Sequence, residues 1–240
     1  MPVQLPDYHA DGIVRLQPND LVKAVGCTFV VAEIWAPLLS GAAVLHEINT
    51  ARRLAPWLAT LAHESASLSQ FTENLGYSPK SLMRAWPMRF RLPHEGEAGD
   101  IDIFVDGMRN AYQYANNPEK LANYVYDDAN RSPRNKLGNT EPGDGWLFIG
   151  RGPIQTTGRT NYTRCGQAIG VSLHKYPDLL LEPPIGARSA GWFWQDRDLN
   201  TLADVGEFEN IVKRVNPGML GYDDRLVRLN IAQDALERFV

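Results

Sequence analysis

The sequence predicts a mainly α fold with one small β element, and three observations carry that reading. Apolar residues recur at helical spacing through most of the chain, one short run alternates with period two, and 44% hydrophobic residues in a chain of 240 suffice for a sizeable core. Helical patterning covers about residues 20–34, 38–48, 51–67, 103–116, 120–126, 158–169, 184–195, 205–215 and 223–238. Residues 1–19 read as a short N-terminal extension and 20–240 as a single domain, with no internal repeat and no low-complexity linker.

The first two helices come from the apolar run 24–45, which is interrupted by Glu33 and Pro37, with Gly41 beyond. Two short buried helices fit this composition better than a membrane span. In the third helix Leu54, Trp57, Leu58, Leu61, Ser65 and Leu68 form one stripe. Pro56 lies inside it and either kinks the helix or marks its true first turn. Phe71, Glu73, Leu75 and Tyr77 then alternate with Thr72, Asn74, Gly76 and Ser78 ahead of Pro79, the pattern of a short strand. The polar stretches 91–100 and 127–146 are long for connections, and loops of that length tend to be functional rims or mobile segments.

A net charge of −4 and an isoelectric point near 5.7 argue against a general nucleic-acid binder. Lys80, Arg84, Arg89 and Arg91 nevertheless fall in a stretch without an acid. Such a group is a solvated face or a contact for an anionic polymer such as a cell wall. Cys27 and Cys165 have no CxxC spacing, so neither a disulfide framework nor a thiolate metal site is indicated, and both read as reduced, partly buried thiols. The first eleven residues lack a basic start and an apolar core, so no signal peptide is expected.

Glu64 and Glu73 lie nine residues apart across the change from helical to alternating period. Cleaving a sugar acetal by acid/base catalysis needs one carboxyl that stays protonated and one that stays ionised. Glu64 falls on the margin of the apolar stripe, where partial desolvation raises a carboxyl pKa and suits it to be the acid. An unbroken helix would separate the two by about 13.5 Å along its axis, whereas an extended segment can fold Glu73 back towards Glu64. On these residues alone, Glu64 is equally readable as an ordinary helix-end carboxylate and Glu73 as a solvated strand residue.

A second motif runs from Gly150 to Tyr162, Gly-Arg-Gly-Pro-Ile-Gln-Thr-Thr-Gly-Arg-Thr-Asn-Tyr. No Gly-Lys-Ser/Thr follows and no dinucleotide spacing is present, so phosphate binding has little support. Gln155, Thr157 and Asn161 instead offer two amides and a hydroxyl able to orient a water and grip sugar substituents. His63-Glu64 and His46-Glu47 both lack the second His of a zinc helix motif, so no metal and no cofactor are expected. His63 reads as a structural hydrogen-bonding residue. Trp192 and Trp194 read as core rather than sugar platform, and Ser65, Ser67 and Ser69 have no visible base beside them.

Taken in order, His63-Glu64-Ser65, Glu73 to Ser78, Leu137 to Thr140 with Gly143 to Trp146, Gly150 to Gln155 with Asn161-Tyr162, and Val215 to Gly218 with Asp224-Arg225 resemble glycoside hydrolase family 19, the plant-type chitinase fold. Within that family they resemble the bacteriophage and prophage endolysins, over about residues 21–240. The resemblance implies a two-lobed, lysozyme-like, mainly α fold with a small β-hairpin element beside a deep substrate cleft, and an inverting mechanism. Glu64 matches the general acid, Glu73 the general base, and Thr157 the hydroxyl residue that helps hold the water. Gln155, Asn161 and Tyr162 match the substrate-binding stretch, Arg225 the arginine that pairs with cleft carboxylates, and Asn216 a sugar-site asparagine. The chain departs from the family in having Asn216-Pro217-Gly218 where Asn-Gly-Gly is usual, Thr156 where an apolar residue is common, and Tyr222 near a further carboxylate of some chitinases.

The resemblance thus implies an endolysin-type, muramidase-like peptidoglycan hydrolase. A chitinase on N-acetylglucosamine polymers is the alternative, ahead of a lytic transglycosylase or an inactive glycan-binding phage structural protein. The expected partners are peptidoglycan glycan strands, with no nucleic acid, no stable membrane insertion and a monomeric state. A lysin of this kind is expected in the host cytoplasm before lysis, reaching the periplasm and cell wall through a holin-made lesion.

Overall fold

The structure is a computed structural model and describes residues 15–93, 104–105 and 107–236. The chain divides into two compact units. Unit 1 holds residues up to Phe71, Arg151–Gln155 and those from Thr163 on; unit 2 holds Thr72–Gly150 and Thr156–Tyr162.

Unit 1 is helical. It contains α1 (Pro18–Val25), α2 (Phe29–Leu45), α3 (Ala51–Glu64), α8 (Pro183–Asp196), α9 (Leu199–Asp204), α10 (Phe208–Val215) and α11 (Tyr222–Ala235). The first break differs from expectation. It falls at Gly26, which ends α1 at φ 78°, and at Thr28, whose hydroxyl caps Val31 N–H to start α2. Pro37 lies within α2 and does not divide it. Pro56 likewise lies inside α3, because Thr50 caps that helix by accepting from Arg53 N–H. The expected helix 205–215 begins later, as α10 at Phe208, because Gly206 adopts φ 77° ahead of it, and α9 before it was not expected. No single helix among the described residues is long and apolar enough to cross a membrane, although α1 and α2, bent by 106°, pass such a test together.

The unit 1 core forms where α3 packs on α11 and α2 packs on α8. Leu54, Trp57, Leu58 and Leu61 are fully buried, as the stripe in the sequence requires. Trp194 is fully buried, with its indole N–H on Asn200 Oδ1, and Trp192 is buried too, so both are core.

Unit 2 contains α4 (Pro79–Ala85), α5 (Pro118–Val125), α6 (Asp144–Leu147) and a three-stranded sheet of β1 (Phe90–Arg91), β2 (Phe104–Val105) and β3 (Met108–Asn110). The sheet order is β1-β3-β2, with β1 parallel and β2 antiparallel to β3. The helix expected over 103–116 is therefore replaced by a hairpin and a 3-10 turn, Ala111–Gln113, with Ile103 and Asp106 outside the described residues. Much of the expected loop 91–100 also lies outside them. The alternating run 71–77 forms no sheet strand; beyond an isolated bridge at Thr72 it is irregular, with Asn74 Oδ1 accepting from Gly76 N–H and Leu75 O from Tyr77 N–H. Loop 127–146 carries two 3-10 turns, Asp128–Asn130 and Pro133–Asn135, and the start of α6. Leu75, Leu82, Phe90, Tyr114, Leu121, Val125 and Ile149 form this unit's core. The remaining helix, α7 (Arg159–Ile169), begins in the residues of unit 2 and continues in those of unit 1.

Candidate active site

Glu64 is the last residue of α3, delivered there by the apolar stripe that fixes the helix's rotation against α11. Arg225, in the first turns of α11, donates from Nη2 to Glu64 Oε1 at 2.5 Å. The Arg225 side chain is only 3% exposed against 19% for Glu64, so the partner of this carboxylate is a buried cation. An ion pair thus replaces the purely apolar rim that the helical pattern led one to expect. Next to it, His63 Nδ1 lies 2.6 Å from Asp224 Oδ2, and Arg228 Nε donates to the same oxygen at 2.7 Å. These bonds, from Arg228 first and His63 second, hold the Asp224 carboxyl below the usual range. His63 is thus a structural hydrogen-bonding residue.

The turn that leaves Glu64 is strained. Ala66, Ser67 and Leu68 have φ of 47°, 60° and 60°, a left-handed run with no glycine in it. Buried Ser65 holds the turn: its hydroxyl donates to Leu61 O and accepts from Leu68 N–H.

Glu73, in unit 2, is held by both carboxylate oxygens. Gly150 N–H donates to Oε1 at 2.5 Å and the Tyr126 hydroxyl donates to Oε2 at 2.6 Å. Glu73 N–H donates in turn to Gly150 O, so Glu73 and Gly150 are tied twice. Tyr126 closes the C-terminal end of α5. Its phenol is pushed far above the ordinary tyrosine range, by burial first and the Glu73 charge second, and therefore stays a donor.

Among the other expected residues, Thr157 and Asn161 come together in unit 2, with Asn161 Nδ2 donating to Thr157 O at 2.8 Å. Gln155 lies in unit 1 at φ 41°, its amide donating to Gly152 O at 3.3 Å. Asn216 ends α10 and accepts from Gly218 N–H at 3.0 Å, shaping the turn in which Pro217 stands. Tyr162 is corrected from substrate contact to core: it is fully buried, its hydroxyl donates to Ile149 O, and its ring meets Phe148 edge-on. Sequence reasoning missed Tyr126 and Gly150 as the ligands of Glu73. They are 53 and 77 residues away, and the one local hint was an aromatic residue at the lip of a long polar loop.

With this geometry in view, likeness to known proteins decides the family. The family 19 glycoside hydrolase model, described as class I chitinase, matches residues 94–216. A "Glycosyl hydrolase family 19 domain-containing protein" of Haemophilus influenzae is 31% identical over 173 residues, 71% of this chain and 74% of that protein. The chain belongs to glycoside hydrolase family 19. It is accordingly a glycoside hydrolase by family. The matched family segment carries Gln155, Thr157, Asn161 and Asn216, and it begins after both Glu64 and Glu73.

A shorter match joins the chain to Endochitinase 1 of Theobroma cacao, 53% identical over 51 residues, which spans 21% of this chain but 16% of the plant protein. Among solved structures, chitinase C of Streptomyces griseus aligns with a TM-score of 0.59 at 14% identity over 97% of this chain and 96% of its own. A bacterial family 19 chitinase aligns at 0.60 and 15% identity over 93% and 95%. These likenesses carry the fold: this family 19 chain has the family's mainly helical, lysozyme-like architecture with a small sheet.

Proposed function

We propose that this family 19 enzyme is an endolysin-type peptidoglycan hydrolase that cleaves β-1,4 bonds between amino sugars with inversion. The observation that supports it most is that two carboxylates are each fixed in position by hydrogen bonds, Glu64 by Arg225 and Glu73 by Tyr126 and Gly150. In the proposed reaction Glu64 is the general acid and gives its proton to the leaving glycosidic oxygen. Glu73 is the general base and takes a proton from the water that attacks the anomeric carbon from the opposite face of the ring. Atoms balance without a cofactor, since water supplies both the new hydroxyl and the proton that Glu73 accepts. Thr157 orients that water, Gln155, Asn161 and Asn216 hold sugar substituents, and Arg225 fixes Glu64.

The ordered motifs taken together, which resemble those of the family's endolysins, support peptidoglycan as the glycan. On this reading the protein acts as a monomer on glycan strands, without nucleic acid or stable membrane insertion. It gathers in the host cytoplasm and meets the wall after a holin opens the membrane. A second reading, a chitinase on N-acetylglucosamine polymers, is favoured by the names of the plant and Streptomyces relatives. Incubation with peptidoglycan and with chitin oligomers, followed by mass spectrometry of the new reducing ends, decides between them. The peptidoglycan reading requires muropeptides with free reducing ends; cleavage of chitin oligomers alone overturns it, and anhydro-sugar ends overturn hydrolysis. Fresh products observed by NMR should start as the α-anomer.

A further inference from the structure

Two arginines of unit 2 converge on one backbone oxygen. Arg89 Nη1 and Arg131 Nη1 donate to Val125 O at 3.1 and 3.0 Å, which bounds the separation of the two nitrogens at the sum of those distances. A carbonyl at the C-terminal end of α5 attracts cations, but it offers only the partial charge of a helix end to two full ones. Like charge and burial both disfavour this arrangement, and the Arg131 guanidinium is accordingly lowered from its ordinary value, by burial first and by Arg89 second.

Asp128 does not resolve the charge. Asp128 attracts Arg131, but its two oxygens accept from Leu137 N–H and Gly138 N–H. Among the described residues neither Arg89 nor Arg131 forms an ion pair within 4.0 Å. Both side chains are half-buried, and Arg131 is further fixed by donating Nε to Asn135 O at 2.6 Å. Two guanidiniums are therefore pre-oriented, each with N–H groups left over for a ligand.

Their place is next to the proposed base. The Arg131 guanidinium carbon stands 6.0 Å from the centroid of the Tyr126 ring, whose hydroxyl is on Glu73. One tyrosine side chain thus separates the Arg131 guanidinium from Glu73. The two glycans in contention differ at that point in one property. A chitin strand is neutral, whereas alternate sugars of a peptidoglycan strand carry a carboxylate, on the lactyl ether or on the stem peptide joined to it. Planar guanidiniums in a fixed fork match a carboxylate well.

We propose that Arg89 and Arg131 form an anion subsite beside Glu73 that takes the lactyl or stem-peptide carboxylate of a bacterial glycan strand. This rests on the peptidoglycan reading above, and it makes the arginine pair the residues that set the choice of glycan.

The test is equilibrium binding by calorimetry at pH 7, in a Glu64→Gln background that leaves the sugars intact. The probes are the tetrasaccharide of alternating N-acetylglucosamine and N-acetylmuramic acid, its stem-bearing form, and chitotetraose. The parent should bind a charged probe about tenfold more tightly than chitotetraose. Arg89→Gln and Arg131→Gln should each shrink that ratio, and the double variant should bring it close to one. Arg89→Lys and Arg131→Lys, which keep the charge, should retain most of it, and Arg134→Gln, at an exposed position, all of it. A preference already present with the bare tetrasaccharide assigns the lactyl carboxylate; one that appears only with the stem assigns the peptide. The subsite is overturned if the parent shows no preference, if the double Gln variant keeps it, or if Lys and Gln variants lose it equally. Failure of the peptidoglycan reading shows itself separately, as an absence of muropeptide release while the charge preference in binding persists.

Discussion

The Tyr126 hydroxyl donates to Glu73 Oε2 at 2.6 Å, and with Gly150 N–H on Oε1 it leaves neither carboxylate oxygen without a donor. If Glu73 is the base as proposed, this grip gives it one orientation, and losing one donor should cost catalysis more than binding. Tyr126→Phe keeps the ring and its packing while removing the donor. It should lower kcat about 10- to 100-fold and leave KM within about twofold. Steady-state kinetics on a variant shown to be folded by its cooperative thermal transition checks this; a rise in KM alone would assign Tyr126 to substrate binding.

Glu64→Gln should abolish turnover, by at least about 1000-fold, because an amide cannot give up a proton to the leaving oxygen. The amide oxygen still accepts from Arg225, so the hydrogen bond survives while the charge opposite a buried guanidinium is lost. We expect a stability cost of about 1–3 kcal/mol. Full lytic activity in this variant would remove Glu64 from the mechanism, and denaturant unfolding reports the stability change.

The sites and their surroundings were legible to different degrees, for physical reasons. Glu64 was readable because it continues a helical stripe that really is buried, from Leu54 through Leu61. Glu73 lies on irregular chain and not on the strand that the alternation suggested. Its ladder is replaced by side-chain and loop contacts to Gly150, which no local period encodes. The hairpin of β2 and β3 was announced by Asp106-Gly107 between Phe104-Val105 and Met108, and the helical spacing of neighbouring apolar residues obscured it. Pro37 looked like the break in the first apolar run, yet Gly26 could adopt φ 78° and ended α1 first. Tyr162 was read as a contact because it sits in a motif, although its ring was needed by the core.

Gly221 stands at the start of α11 at φ 73°, and a Cβ there would come 2.5 Å from His63 Cε1. Gly221→Ala should therefore cost about 2–3 kcal/mol, joining left-handed strain to displacement of the His63–Asp224 pair. Gly206 is the control: φ is 77° and a Cβ there would meet nothing within 4 Å, so Gly206→Ala should cost only about 1–2 kcal/mol. Equal midpoints for the two variants in urea unfolding would show that the His63 contact is soft.

Exposed Ala66 begins the left-handed run after Glu64 at φ 47°. Ala66→Gly removes a strain of about 1–2 kcal/mol but returns part of it as unfolded-chain entropy. A net gain of about 0.5–1 kcal/mol is expected. A thermal midpoint below that of the parent would mean that the turn is held by Ser65 strongly enough to make strain irrelevant.

Acid should unfold this protein through its aspartates. Burial pushes the Asp144 carboxyl up, but Arg159 Nε, Glu141 N–H and Thr140 N–H outweigh it and leave the group below its ordinary value. Arg53 lowers Asp204 in the same way, and Arg228 with His63 lowers Asp224. A folded-state pKa below the unfolded one means that the unfolded chain binds protons first as pH drops. The stabilisation is thus fully present above the ordinary aspartate range, about pH 4, and is lost as pH falls through the depressed folded values. Tyr126 works in the opposite sense: its raised phenol contributes below about pH 10 and loses that contribution as pH climbs further. Unfolding midpoints measured from about pH 2 to 11 should form a plateau with both shoulders. Asp144→Asn should flatten the acid shoulder and Tyr126→Phe the alkaline one, and an acid shoulder unchanged by Asp144→Asn would exclude the Arg159 pair as its source.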